Sequence, residues 1–214
     1  MTIYHHVRFI ALTVIFAGLV SRAEARRDKE PVLAMAAADP ALCARLRALG
    51  PGVNPGEAER VAFTAFTTGR DLAREWQVVW PPGLQNFLVN RGLRKGGLCF
   101  QWAAELLVRL DALHLQTLEF HWAESYPNTL SEHNVIVITA RDRPLHEGIL
   151  LDNWRHLGHL CWGPVSGDPQ YEWKENKAEA TRRLRERHEQ LQRAAKLPSA
   201  QRTGKMKKET AKGE

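Results

Sequence analysis

The strongest pattern along this chain is a helical stripe. Cys99, Trp102, Ala103, Leu106, Leu107, Leu110 and Leu113 fall at offsets of 0, 3, 4, 7, 8, 11 and 14 residues, the spacing of one apolar helix face. A helix running from about Cys99 to Leu113 should therefore lie against the core. After it the hydrophobic period drops to two. Leu115–Trp122, Asn134–Ala140 with its alternating Val and Ile, and Gly148–Asp152 each read as strands. His159–Trp162 reads as a last short strand before Gly163 and Pro164. Ahead of the stripe the pattern is helical again. Pro40–Leu49 is capped by Asp39 and stops at Gly50-Pro51-Gly52. A longer helix from about Glu57 to Val79 carries Phe63, Phe66, Leu72 and Trp76 on its apolar face, with Gly69 weakening its middle and Pro81-Pro82-Gly83 ending it. A short turn of helix over Leu84–Asn90 leads into Arg91–Gly97, where three glycines predict a tight loop with accessible backbone. Helices first and antiparallel strands afterwards predict an α+β domain.

Both ends differ from this middle. Phe9–Val20 is a continuous apolar run broken only by Thr13 and Gly18, followed by Ala23 and Ala25 in the spacing a signal peptidase accepts. Twelve residues rise only about 18 Å as a helix, short of a roughly 30 Å hydrocarbon core. Residues 1–25 are therefore expected to be a secretory signal peptide, and the protein periplasmic or secreted, with no membrane span after cleavage. A retained N-terminal anchor is the alternative. Residues 174–214 are nearly all polar, with Leu184 and Leu191 seven apart, and read as a basic, solvated helix that frays after Pro198. The catalytic domain is expected to occupy 26–173.

Composition narrows the function classes. With 44% hydrophobic and 25% charged residues the 214-residue chain is globular in character. The net charge of +6 belongs to one end: Lys174–Glu214 holds 13 Lys/Arg against 6 Asp/Glu, and the remainder holds 17 against 18. The core therefore gives no reason to expect nucleic-acid binding, although the basic segment could meet an anionic envelope polymer. Three cysteines exclude a disulfide-dense scaffold and a four-cysteine zinc site. No phosphate-cradling or dinucleotide loop is present, and no cofactor is expected.

The candidate chemistry is nucleophilic. Cys99 stands where a glycine loop meets the first turn of a buried-face helix. Free backbone N–H groups and the positive end of the helix dipole favour a thiolate there. His133 opens the central strand and Asp152 closes the next. If these strands form a hairpin with His133 opposite Asp152, Val137 falls opposite Gly148 and the two polar residues share a sheet face. Asp152 would then orient the imidazole, and His133 would activate Cys99. The catalytic set is Cys99, His133 and Asp152.

Gly96-Gly97-Leu98-Cys99 heading an amphipathic helix, His133 on a strand 34 residues on, and Leu150-Leu151-Asp152 ending 19 residues after that resemble the transglutaminase-like branch of the papain-like cysteine enzymes. The resemblance covers roughly Gly92–Trp154. Within the branch, Leu151-Asp152-Asn153 is similar to the bacterial transglutaminase-like cysteine proteinases, which are often exported. The Gly-Gly-x-Cys element is also similar to that of arylamine N-acetyltransferases, which are longer cytosolic enzymes. The resemblance implies a papain/transglutaminase-like core, with the nucleophile helix packed on an antiparallel sheet. It also implies cleavage of an amide bond in a protein or peptide substrate through an acyl-enzyme. A transglutaminase-like acyl transferase and a non-catalytic envelope-binding module that kept the fold are the alternatives. The chain departs from the pattern at Leu98 and Phe100, where the proteinases usually carry acidic residues. It departs again at Leu93, where papain-like proteases carry Gln. The second oxyanion donor is thus open, with Asn90, Gln85 and Trp102 as candidates.

Two smaller groups remain. His156, His159 and Cys161 could begin a zinc site but lack an evident fourth ligand, so no metal is assigned. In an exported protein Cys43 and Cys161 could pair as a disulfide or stay free. The seven tryptophans, with Trp154 beside Asp152, are expected in core and cleft walls.

Overall fold

A computed structural model describes residues 39–196, with side chains described through Arg193; the expected signal peptide lies outside the described residues. The elements run α1 (Pro40–Arg47), α2 (Pro55–Glu75), α3 (Pro82–Asn90), α4 (Cys99–Asp111), β1 (Leu118–Ser125), β2 (His133–Ala140), β3 (Ile149–Asp152), β4 (Cys161–Pro164), β5 (Lys174–Glu175) and α5 (Lys177–Lys196). The strands form one sheet in the order β4-β3-β2-β1-β5, every neighbouring pair antiparallel. The class is α+β, as the helix-then-strand order of the sequence predicts.

Local signals set the helix starts. Asp39 caps α1, its Oδ1 accepting from the Ala41 N–H at 2.9 Å, while its Oδ2 accepts from the Trp162 indole of β4 at 2.9 Å. Asn54 caps α2 through the N–H groups of Gly56 and Glu57. The buried face of α2 is built from Ala58, Val61, Ala62, Ala65 and Leu72. Phe63, expected on that face, is half exposed instead, and Trp80 lies out in solvent. Small residues win because the helix packs closely. A Cβ at Gly69 would sit 2.4 Å from the Gly158 carbonyl and from the Asn153 side chain, so the residue that weakens the helix is the one that lets the segment after β3 approach it.

The helical stripe of α4 performs as its spacing predicts. Ala103, Leu106, Leu107 and Leu110 join α1, α2 and the inward residues Leu118, Trp122, Ile136, Ile138, Ile149 and Leu151 in the main core. The other sheet face buries Ala123, Val135, Val137 and Leu150 under Val165 and Trp173.

The last strand runs Cys161–Pro164 rather than His159–Trp162, and two further strand expectations need correction. The first strand begins at Leu118, three residues late, because Glu57 takes the backbone before it. The nearly buried Glu57 carboxylate accepts from the N–H groups of Gln116 (2.7 Å), Thr117 (2.9 Å) and Leu118 (3.1 Å) and from the Thr117 hydroxyl (2.7 Å). Burial would push this carboxyl up, but the hydroxyl and the three amides hold it below the ordinary glutamate range. The second correction is the β2–β3 register. Val137 faces Leu150 rather than Gly148, a slip of two residues that keeps every side chain on its expected face.

The third correction concerns the C-terminal segment, which is not wholly solvated. Lys174 and Glu175 pair with Glu124 and Ala123 as an edge strand. Ala180 and Leu184 pack on the main core, and the Arg183 guanidinium stacks 5.0 Å from the Phe100 ring and 5.6 Å from that of Trp122. The boundary expected at residue 173 therefore falls inside the folded unit. Truncation before Lys174 is predicted to uncover Trp122 and Phe100 and to lower unfolding free energy by about 2 kcal/mol or more. Urea denaturation of the truncated and full chains measures it, and an unchanged midpoint would show the segment to be an appendage.

Candidate active site

Each member of the sequence-derived set sits at the end of an element. Cys99 is the first residue of α4, His133 the first of β2 and Asp152 the last of β3. The two-residue slip makes His133 and Asp152 diagonal neighbours on one sheet face. The His133 Nε2–H donates to Asp152 Oδ2 at 2.7 Å, with both side chains 1% exposed. A carboxylate only accepts, so this bond places the ring proton of neutral His133 on Nε2 and leaves a lone pair on Nδ1. That Nδ1 is buried and has no partner in ordinary hydrogen-bond geometry. The Cys99 thiol is a neighbour of the His133 ring. The thiol itself lies 3.6 Å from the Glu132 carbonyl oxygen, to which it donates, and 3.7 Å from Asn134 Nδ2.

Charge is shared unevenly across this chain of contacts. Burial disfavours the imidazolium, but the hydrogen bond to Asp152, the contact with Cys99 and the charges of both outweigh it. His133 is pushed up to about 9. Burial likewise acts against the Asp152 carboxylate, and His133 and Arg155 together with the Trp154 N–H hold its pKa below the usual range.

Several residues that the sequence did not single out complete this cluster. Arg155 donates through Nε to Asp152 Oδ2 at 2.8 Å and pairs through Nη2 with Asp168. Asp168 also accepts from the Trp173 indole at 3.0 Å. Trp154, Tyr171 and Trp173 surround the His133 ring, at centroid distances of 4.7, 4.9 and 5.5 Å. The sequence signalled Trp154 by its nearness to Asp152. Asp168, Tyr171 and Trp173 carried no comparable signal, because no periodicity or spacing ties that irregular segment to β3.

The approach to Cys99 is fixed by packing that only glycine permits. Gly97 has φ +131° and a Cβ there would fall 2.6 Å from the Gln85 side chain. Fully buried Gln85 donates to the Gly96 carbonyl at 2.7 Å and accepts from the Val79 N–H at 3.0 Å. The Trp102 indole donates to the Gly97 carbonyl at 3.1 Å, and the Gln101 side chain accepts from the N–H groups of Gly97 and Leu98. Gln85 and Trp102 are thus committed to holding the loop, while Asn90 is exposed at the end of α3.

Glu132 and Asn134, which both contact the sulfur, line a polar cleft of ≈ 260 Å³ together with Glu124, Asn128 and Asn176 among others. Two larger hollows lie elsewhere, one lined by Pro40, Cys43 and Phe63, the other by Val53, Thr117 and Arg141. Cys43 and Cys161 are both free thiols. Among the described residues no group of three or more His, Cys, Asp or Glu is arranged to hold a metal ion, and no helix is long and apolar enough to cross a membrane. Comparison with family models, curated proteins and solved structures finds no match to this chain.

The His133–Asp152 contact sets a pH dependence of stability. An unfolded histidine titrates near 6.5 and the folded ring near 9, so the stabilisation is complete below pH 6.5 and is lost as pH rises through about 9. Its upper limit is about 3 kcal/mol. Denaturant titrations at pH 6.5 and 9.5 are predicted to show this fall in the wild type and a flattened profile in His133→Gln.

Proposed function

We propose that this protein is an exported thiol-dependent hydrolase that cleaves amide bonds in a protein or peptide through an acyl-enzyme. In this reading its sheet and α4 form a papain/transglutaminase-like core. One observation carries the proposal: a buried imidazole whose Nε2–H is taken by Asp152, whose Nδ1 is left without a partner, and whose ring has the Cys99 thiol as a neighbour. The order helix-borne Cys, strand-borne His and strand-borne Asp supports the same reading, as do the gaps of 34 and 19 residues.

In the proposed cycle Nδ1 accepts the thiol proton and the Cys99 sulfur attacks the substrate carbonyl. His133, held protonated to about pH 9, gives that proton to the departing amine. It then takes a proton from the water that hydrolyses the acyl-enzyme. Asp152 orients the ring and supports its charge without exchanging the transferred proton. Cys99 is half-buried, and its contacts Glu132 and Asn134 line a polar cleft. Water can therefore reach an acyl-enzyme there, which favours hydrolysis over transfer to an amine. Export rests on the apolar run Phe9–Val20 and the Ala23–Ala25 spacing. Contact with an anionic envelope polymer gains little from Arg182, Arg183 and Arg193, whose guanidiniums pair with Glu179, Glu186 and Glu189.

Labelling with a thiol-reactive peptide probe tests the reading. Cys99 is expected to react rapidly at neutral pH, with a loss of about 10² or more in His133→Ala. Asp152→Asn should slow labelling and turnover together in protein that still folds, and should also lower the melting temperature, because His133 and Arg155 lose their shared counter-charge. On an amide substrate, turnover should fall as pH rises through about 9, where His133 loses the proton it must donate. A labelling rate that follows an ordinary thiol, with a midpoint near ~8.5 and indifference to His133, would leave a binding module that kept the fold.

A further inference from the structure

Asn134 touches the Cys99 sulfur, yet the acid–base scheme gives it no task. It is the second residue of β2, 4% exposed, and lines the polar cleft. Two partners fix which way its amide faces. The Trp122 indole N–H can only donate, and it lies 3.0 Å from Asn134 Oδ1. A carboxylate oxygen of Glu132 lies 3.1 Å from Nδ2, which donates to it. Nδ2 therefore carries a second hydrogen, and the Cys99 sulfur stands 3.7 Å from it. The backbone N–H of Cys99 lies in the first helical turn, where amides lack intrahelical partners.

We propose that Asn134 is a catalytic residue, the second oxyanion donor of the site. The inference rests on the acyl-enzyme reading above. When the sulfur pair forms the C–S bond, the carbonyl π pair moves to oxygen, and the resulting oxyanion accepts from Asn134 Nδ2–H and the Cys99 N–H. When that pair returns to carbon, the C–N bond breaks and the amine leaves with the His133 proton. At rest this second hydrogen meets only sulfur, a weak acceptor at long range, whereas the tetrahedral intermediate offers a charged oxygen. The interaction thus strengthens as the transition state forms, which is what accelerates the chemical step. Trp122 and Glu132 hold the amide in place beforehand, so little reorganisation accompanies the reaction.

A rival role is that Asn134 only holds the sulfur. Two reactions of Cys99 separate these roles: acylation by p-nitrophenyl acetate, followed as the nitrophenolate burst, and alkylation by iodoacetamide. Both start from the same thiolate, so their rate ratio cancels any change in its amount, and only the ester passes through an oxyanion. The ratio is expected to fall about 10²-fold or more in Asn134→Ala and in Asn134→Asp. The Asp variant keeps an acceptor for the Trp122 indole and so guards against a loss that merely reflects unfolding. An unchanged ratio, including an equal slowing of both reactions, overturns the assignment and leaves the acyl-enzyme reading intact. A wild-type burst no larger than that of Cys99→Ser overturns the acyl-enzyme reading and this assignment with it.

Discussion

Asp152 is a carboxylate with a side chain 1% exposed, and a buried charge of this kind persists only if its oxygens are satisfied. Much of the architecture around β3 follows from that demand. Oδ1 accepts from the N–H groups of Trp154 (2.8 Å) and Arg155 (3.2 Å), which folds the chain sharply after the strand. Oδ2 is shared by the His133 ring and the Arg155 guanidinium. Arg155 in turn engages Asp168 and lies 4.8 Å from the Tyr171 ring centroid, so the segment crossing the sheet is drawn over His133. That segment supplies Trp173, which also seals the smaller apolar cluster. Removing one partner would leave an uncompensated buried charge, so the network stands or falls as a unit.

How far this was legible in the sequence depends on the range of each interaction. The stripe from Cys99 to Leu110, the cap at Asp39 and the alternation in β2 are local, and the corresponding elements form where their patterns place them. Cys99, His133 and Asp152 were legible because each lies at an element end, where side chains converge. The late start of β1 was not, since Glu57 holds Gln116–Leu118 across some sixty residues. Hairpin register could be read only to its parity, because alternation fixes the face of a side chain and not the count along the strand. The C-terminal helix read as solvated because its two packing residues, Ala180 and Leu184, are outnumbered by charge. An arginine stacked on Phe100 and Trp122 covers apolar surface that the pattern assigns to hydrophobic residues alone.

The site also shows how a sheet can serve a sulfur atom from two sides. Neighbouring residues on a strand point to opposite faces. His133 belongs with Val135, Val137 and Leu150 on the face that Trp173 covers, whereas Asn134 belongs with Ile136 and Leu151 on the face that α4 covers. A group above either face could reach only one of them. Cys99 is placed off the end of β2 by the first turn of α4, so its sulfur lies beside both. On the proposed reading, proton handling and oxyanion binding would thereby fall on separate faces: an aromatic enclosure around the imidazole, and a polar cleft around the amide. Burial that preserves the His133–Asp152 contact would exclude the water that an acyl-enzyme needs if both functions shared one face. Dividing them across the strand end would let the imidazole stay buried while the proposed carbonyl chemistry remained open to solvent.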